Sequence, residues 1–155
     1  MSVPSASASI EISAPPEAVY DLVADVTGMS GWNVECERVR WVGRIREPRP
    51  GARFRGSNRN GRRRWSTVCT ITAAEPGRTF AYHVRAGGVV DVAIWRFDIT
   101  ATRGGCLVEQ KTWDTRGRFV RAAGRLATGV ADRAGHNAAN MRRTLENLKA
   151  VAERP

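Results

Sequence analysis

The chain opens with an alternation of period two. Ile10 and Ile12 are apolar between Ser9, Glu11 and Ser13, the pattern of a strand with one buried face. Pro15-Pro16 ends that strand, and a proline in the first turn suits a helix start. Val19, Leu22, Val23 and Val26 then recur at i, i+3, i+4 and i+7, an apolar stripe on a short helix. Gly28 and Gly31 bracket a break, with Met29 and Trp32 as anchors of a second helical turn. Alternation resumes with Val39, Trp41, Gly43 and Ile45 on one face and Arg38, Arg40, Arg44 and Arg46 on the other. Past Pro48 and Pro50-Gly51, Ala52 and Phe54 point inward while Arg53 and Arg55 point outward. Asn60-Gly61 predicts a two-residue hairpin with positive φ at both turn positions. Trp65, Thr67, Cys69 and Ile71 lie in phase on the returning strand, and Pro76-Gly77 makes the next turn. Phe80, Tyr82 and Val84 share a face of the strand that follows. Gly87-Gly88 leads into a long strand, Val89 to Ala101, and Gly104-Gly105 into a last one, Cys106 to Asp114.

The long strand changes phase along its length. Val90, Val92 and Ile94 fall in one phase, and Trp95, Phe97 and Ile99 in the other, so either a bulge shifts the register or both faces are covered. From about Phe119 the period becomes 3.6. Ala123, Leu126, Val130, Ala134, Met141, Leu145, Leu148 and Ala152 fall within one narrow arc of a long amphipathic helix. Gly124, Gly129 and Gly135 lie opposite that arc, where each costs ~1 kcal/mol against alanine. The order is therefore strand, two short helices, six strands joined by tight turns, and one long C-terminal helix. A curved antiparallel sheet with one apolar face needs a cover, and that helix is the element able to supply it. The predicted fold class is α+β.

Composition narrows the class. The chain has 155 residues, 42% of them apolar, which suits one domain with one ordinary core. We read residues 1–6 as a flexible Ser/Ala-rich tail and 7–155 as a single domain. Lys and Arg number 25 against 15 Asp and Glu, a net charge of +10, and Lys111 and Lys149 are the two lysines. That charge invites a polyanion partner, nucleic acid or an anionic membrane surface. Yet Arg38, Arg40, Arg44, Arg46, Arg53, Arg55, Arg59 and Arg62-Arg63-Arg64 belong to consecutive strands and one hairpin, most on the face away from the core. No aromatic residue for base stacking shares that face, and a solvated sheet surface is the preferred reading. Cys36, Cys69 and Cys106 are odd in number and lack paired spacing, so they read as reduced thiols, not a zinc site or disulfide frame. No secretory signal pattern or membrane-length apolar run is present, and a cytoplasmic location is expected.

The segment Ile10-Glu11-Ile12-Ser13-Ala14-Pro15-Pro16-Glu17-Ala18-Val19-Tyr20-Asp21-Leu22-Val23-Ala24-Asp25-Val26 resembles the opening of the START-like, helix-grip (SRPBCC) superfamily, in particular its polyketide cyclase/dehydrase and lipid-transport branch. Trp32 stands where that family commonly carries a tryptophan at the end of its second short helix. Trp95-Arg96-Phe97 followed by Gly104-Gly105-Cys106-Leu107-Val108-Glu109 resembles the penultimate hairpin, with Gly105-Cys106 in place of the usual Gly-Thr. The resemblance runs from about Ser7 to Val151. It implies a seven-stranded curved antiparallel sheet wrapped around the C-terminal helix. It also implies a cavity between them for a small hydrophobic molecule such as a lipid or polyketide, and in some members cyclisation or dehydration. Its motifs are structural and carry no shared catalytic signature.

A cavity of that kind would be lined from the inner faces. Trp41, Phe54, Trp65, Tyr82, Trp95 and Trp113 are the aromatic candidates, each with plain core packing as the alternative. Met141 lies in the helical arc, and Asn137 falls about 20° from its centre, where a buried amide must find partners. Thr144 and Arg133 lie at the edges of the arc. His136 sits about 120° from its centre, and His83 points opposite Tyr82, so neither histidine is placed as an acid–base group. Glu109 shares a face with Leu107 and Trp113, and Asp91 one with Trp95, so both are possible pocket carboxylates or solvated strand residues. Tyr82, Glu109 and Asn137 are the catalytic candidates. No nucleophile elbow, HExxH or phosphate-binding glycine loop occurs, and no metal or cofactor is indicated. Binding of a small hydrophobic molecule is the first expectation. A cofactor-independent cyclase or dehydrase is the second, and polyanion binding through the arginine face the third.

Overall fold

The computed structural model describes residues 2–117 and 133–155, with side chains on the last helix from Asn137 onward. Its described elements are β1 (Ala6–Ile12), α1 (Pro16–Ala24), a 3-10 helix (Val26–Gly31), β2 (Cys36–Val42), β3 (Arg53–Asn60), β4 (Arg63–Glu75), β5 (Thr79–Ala86), β6 (Val90–Thr102), β7 (Gly105–Asp114) and α2 (Arg133–Ala152). The expectation that the last helix begins near Phe119, with glycines at 124 and 129, falls outside the described residues.

All seven strands join one antiparallel sheet in the order β1-β7-β6-β5-β4-β3-β2. Consecutive strands from β2 to β7 are hairpin neighbours, and β1 closes the far edge on β7. Three single-residue bulges bend the sheet, at Glu37 in β2, Thr72 in β4 and Val92 in β6. An unpaired extra residue raises local twist and curves the strand, which lets a sheet wrap a helix. The Val92 bulge also accounts for the phase change in β6. Beyond it Trp95, Phe97 and Ile99 run along the concave face, while Asp91 pairs with Arg85.

Hydrophobic burial follows the period-two reading closely. Phe54, Phe80 and Phe97 are each 2% exposed or less, and Cys69, Ile71, Tyr82 and Val84 are buried beside them. Full burial of such a side chain stabilises by about 1.5–3 kcal/mol. On α2, Met141, Leu145 and Leu148 recur at i, i+4 and i+7 and are at most 1% exposed. Polar ties hold the C-terminal part of the helix: Asn147 Nδ2 donates to the Trp32 carbonyl at 3.1 Å, and the Ser13 N–H donates to Glu153 at 2.8 Å. Trp32 packs edge-on against Phe97, ring centres 5.9 Å apart.

Two local details depart from the sequence reading. The two-residue turn between β3 and β4 is Gly61-Arg62, one residue later than Asn60-Gly61, because Asn60 pairs with Arg63 inside the ladder. Gly61 has φ 63°, and no described non-glycine residue has positive φ, so one glycine at the first turn position suffices. The Ser/Ala-rich segment set apart as a tail lies along β7: Ser5 N–H donates to the Thr112 carbonyl at 2.8 Å. Its Ser5 hydroxyl also accepts the Asp114 N–H at 2.9 Å.

Candidate functional site

Between the concave face of the sheet and α2 lies a cavity of about 330 Å³. Strand alternation and helix periodicity together decide what faces it. Phe54, Trp65, Tyr82 and Trp95 line it from the sheet, and Met141 and Asn137 from the helix. The half-buried Trp65 and Trp95 present ring surface to the space, and Phe54 contacts Tyr82 edge-on at 5.3 Å between centroids. At the Val92 bulge two consecutive residues, Val92 and Ala93, both reach the wall.

The remaining candidates stand elsewhere. Trp41 shares the concave side but is not part of the cavity wall; its ring packs edge-on against Phe54 at 6.3 Å. Trp113 lies on the convex side, where its indole Nε1 donates to the Ser2 carbonyl at 2.9 Å. The reason is the phase of β7: Cys106, Val108, Gln110 and Thr112 are buried inward, which turns Leu107, Glu109 and Trp113 outward. Glu109 therefore leaves the set of pocket carboxylates, and its Oε1 sits 3.0 Å from Lys111 on the convex face. Asp91 leaves it too, because the bulge places it outside, 3.3 Å from His83 Nε2 and 3.1 Å from Arg85 Nε. The side chains of Arg133 and His136 fall outside the described residues. Arg38, Arg40 and Arg53 are exposed on the convex side, and Arg40 stands directly opposite Arg55.

The cavity wall is more polar than the aromatic candidates suggest. Asn58 and Thr67 face it from β3 and β4, Gln110 and Thr112 from β7, and Asn137, Asn140 and Thr144 from α2. Most of these groups are satisfied within the protein. Thr144 Oγ1 accepts the Val34 N–H at 3.3 Å, Thr112 Oγ1 donates to the Ile94 carbonyl at 3.1 Å, and Asn140 Oδ1 accepts from Arg143 at 2.9 Å. At one margin Arg116 makes a two-point pair with Asp114, both bonds 2.9 Å, which its backbone N–H reinforces at 3.0 Å. Two acceptors are different. Gln110 Oε1 and Asn137 Oδ1 are buried without a hydrogen-bond partner among the described residues, in residues 2% and 9% exposed. Leaving such a group unpaired costs about 1–3 kcal/mol.

Three titratable groups in the wall, Cys36, Cys69 and Tyr82, are held neutral. Burial pushes the Cys36 thiol up to about 11 and the Cys69 thiol up to about 12. Burial also drives the Tyr82 hydroxyl well above its ordinary value near 10. At neutral pH all three keep their protons, so the cysteines are poor nucleophiles and Tyr82 is a hydrogen-bond donor. No cluster of metal-ligating side chains occurs among the described residues. No described helix is long and apolar enough to cross a membrane.

Sequence reasoning overlooked Gln110, although a signal was available: it lies in phase with Cys106 and Val108, a polar residue on the buried face of β7. The Asp114–Arg116 pair had no signal, because it forms just past the end of a strand.

Comparison with solved structures gives the same architecture. A protein from Chromobacterium violaceum superposes with a TM-score of 0.70 at 16% identity, over 96% of this chain and 97% of that one. A protein from Mesorhizobium loti gives 0.66 at 19% identity, over 94% and 93%. StfQ, a di-domain ARO/CYC from the steffimycin biosynthetic pathway, gives 0.73 at 16% identity, over 95% of this chain and 49% of that one. Among curated protein sequences none matches the chain. A family model described as polyketide cyclase / dehydrase and lipid transport matches residues 3–153. The chain thus belongs to the polyketide cyclase / dehydrase and lipid transport family, within the START-like superfamily.

Proposed function

We propose that the protein binds one small, largely hydrophobic molecule, lipid- or polyketide-like, in the cavity between the sheet and α2. The observation that carries this reading is the cavity itself: about 330 Å³ left open between the sheet and α2 and faced by Phe54, Trp65, Tyr82, Trp95 and Met141. Protein interiors pack as densely as organic crystals and rarely keep voids larger than a water molecule. A space of this size falls at the lower end of small-molecule sites, ~300–1,000 Å³. Native mass spectrometry of the purified protein, after exposure to an organic extract of its source cells, tests the reading. One small molecule retained per chain is the expected result; apoprotein alone in every spectrum would overturn it.

A cyclase or dehydrase reading is favoured by a second observation, the protonated Tyr82 hydroxyl in the cavity wall, and by likeness in fold to the ARO/CYC StfQ. Catalysis would then come from confining a reactive chain in one conformation, with Tyr82 donating a hydrogen bond or proton. Tyr82→Phe should lower turnover of a poly-β-ketone thioester by about 10²-fold or more if Tyr82 acts as the acid. Full turnover in that variant would remove Tyr82 from the mechanism.

A further inference from the structure

The convex side of the sheet is divided in its charges. On β5, β6 and β7 the cations stand among the protein's own carboxylates. Arg85 lies 3.1 Å from Asp91, Arg96 3.0 Å from Asp98, and Lys111 3.2 Å from Asp98 and 3.0 Å from Glu109. On β2 and β3 the arginines have no such company. None of the guanidinium groups of Arg38, Arg40, Arg53 and Arg55 has an ion pair or hydrogen bond among the described residues. Glu37, the acid at the start of β2, is taken up by Arg59 at 3.5 Å and Arg64 at 3.9 Å.

Register turns these residues into a stripe. Arg40 stands directly opposite Arg55, Arg38 lies one row to one side, opposite Ser57, and Arg53 one row to the other, opposite Val42. Like charges directly opposed destabilise a sheet, so the fold keeps this block at a cost that a polyanion would remove. Rows two residues apart are about 6.8 Å apart along a strand. That is twice the roughly 3.4 Å rise of phosphates along one strand of B-DNA, so successive rows meet every second phosphate. Guanidinium forks match phosphate oxygens two at a time.

We propose that the arginine stripe of β2 and β3 docks the sugar–phosphate backbone of a nucleic-acid duplex without reading its sequence. This surface is independent of the cavity and of its ligand. Single strands are held largely by stacking on aromatic rings, and Trp41 and Phe54 of the same two strands face the concave side. A bilayer surface rewards apolar side chains that it can bury, and none of the large apolar residues exposed to solvent lies on β2 or β3. The exposed Val89 and Val90 stand at the β5–β6 turn, beyond β4. What remains is a polar, rigid, cationic stripe, which contacts phosphates and carries no base readout.

The test is fluorescence anisotropy of a labelled mixed-sequence DNA duplex of roughly 20 base pairs, titrated with protein over a range of salt concentrations. The proteins are the wild type, Arg40→Gln/Arg55→Gln, and Arg103→Gln/Arg154→Gln, which loses the same charge from exposed positions outside the stripe. Arg38→Gln/Arg53→Gln serves as a second stripe variant should the first fold poorly, and melting curves accompany each protein. In the wild type log K should fall against log salt with a slope of about −3 to −4, as for four phosphate contacts. The stripe variant should lose about tenfold or more in affinity at low salt and about 2 in slope, with an unchanged or higher melting temperature. The control pair should lose less than about threefold and keep its slope. No duplex binding by the wild type, or an equal loss in the stripe and control variants, overturns the proposal. So does tighter binding of the single-stranded form of the same DNA, or of phosphatidylglycerol vesicles, than of the duplex.

Discussion

At Gly105 the backbone leaves no room for a side chain. An added Cβ would lie 2.1 Å from the Ile12 carbonyl oxygen and 2.8 Å from the Ala14 nitrogen, and φ is 155°. Both neighbours are backbone, so neither can rotate away. Gly105→Ala should therefore cost at least about 1–3 kcal/mol. Gly104→Ala, with open space around it, should stay within about 0.5 kcal/mol of the wild type. Urea denaturation midpoints of the two variants check the contrast, and equal midpoints would refute it. Phe97, fully buried under Trp32, should cost about 3–5 kcal/mol when cut to alanine. Individual residues were legible in the sequence wherever an apolar side chain sat in phase with its neighbours, as Phe54, Tyr82 and Met141 did. Trp113 is the exception: its size suggests the inner face, and its phase in β7 places it outside. The phase of Cys106, Val108 and Gln110 had already assigned that face, and the segment from Ser2 to Ser5 supplies the cover that an outward tryptophan needs.

Among the elements, β2 and β3 carry a like-charge conflict on the convex side, where Arg40 stands opposite Arg55. Arg55→Glu turns the repulsion into an attraction and should stabilise the protein by about 0.2–1 kcal/mol at low salt, an effect that shrinks as salt is added. A destabilised variant would show that other charges dominate that face. The β5–β6–β7 part of the same side is arranged differently. Burial alone would raise the Asp98 carboxyl, but bonds from Arg96, Lys111 and Thr79 outweigh it and hold the group below its ordinary value. A depressed carboxyl contributes stability above its unfolded value near ~3.9 and loses that contribution as pH falls through its folded value. The wild type should accordingly exceed Asp98→Asn in stability at pH 7, with the gap narrowing below about pH 4. A gap that stays constant down to pH 2 would contradict the assignment. The elements themselves were readable because each strand keeps its period and each turn its glycine or proline. The bulges were not, apart from the phase break near Ile94, since Glu37 sits among charged residues and Thr72 is followed by the small Ala73-Ala74, so neither interrupts a run of large apolar residues.

For the molecule as a whole, the net charge of +10 describes mainly the surface, and the candidate chemistry lies inside. The helix-grip architecture follows from a resemblance spread over almost the full length, and its concave face follows from strand alternation. The polar content of the cavity wall was less accessible. Gln110, Asn58 and Asn140 lie far apart in sequence and become one wall once the sheet curls around α2. A cavity-filling substitution puts the central claim to the most direct test. Val84 lies in the wall of the cavity, so Val84→Phe should fill part of it from β5. Native mass spectrometry of the wild type and Val84→Phe, each after exposure to an organic extract of the source cells, is the decisive measurement, with cooperative unfolding confirmed for both. One small molecule retained per chain in the wild type, and at least about tenfold less of it in the variant, is the predicted result. Equal binding by both proteins, or none by the wild type, would contradict a ligand site between the sheet and α2.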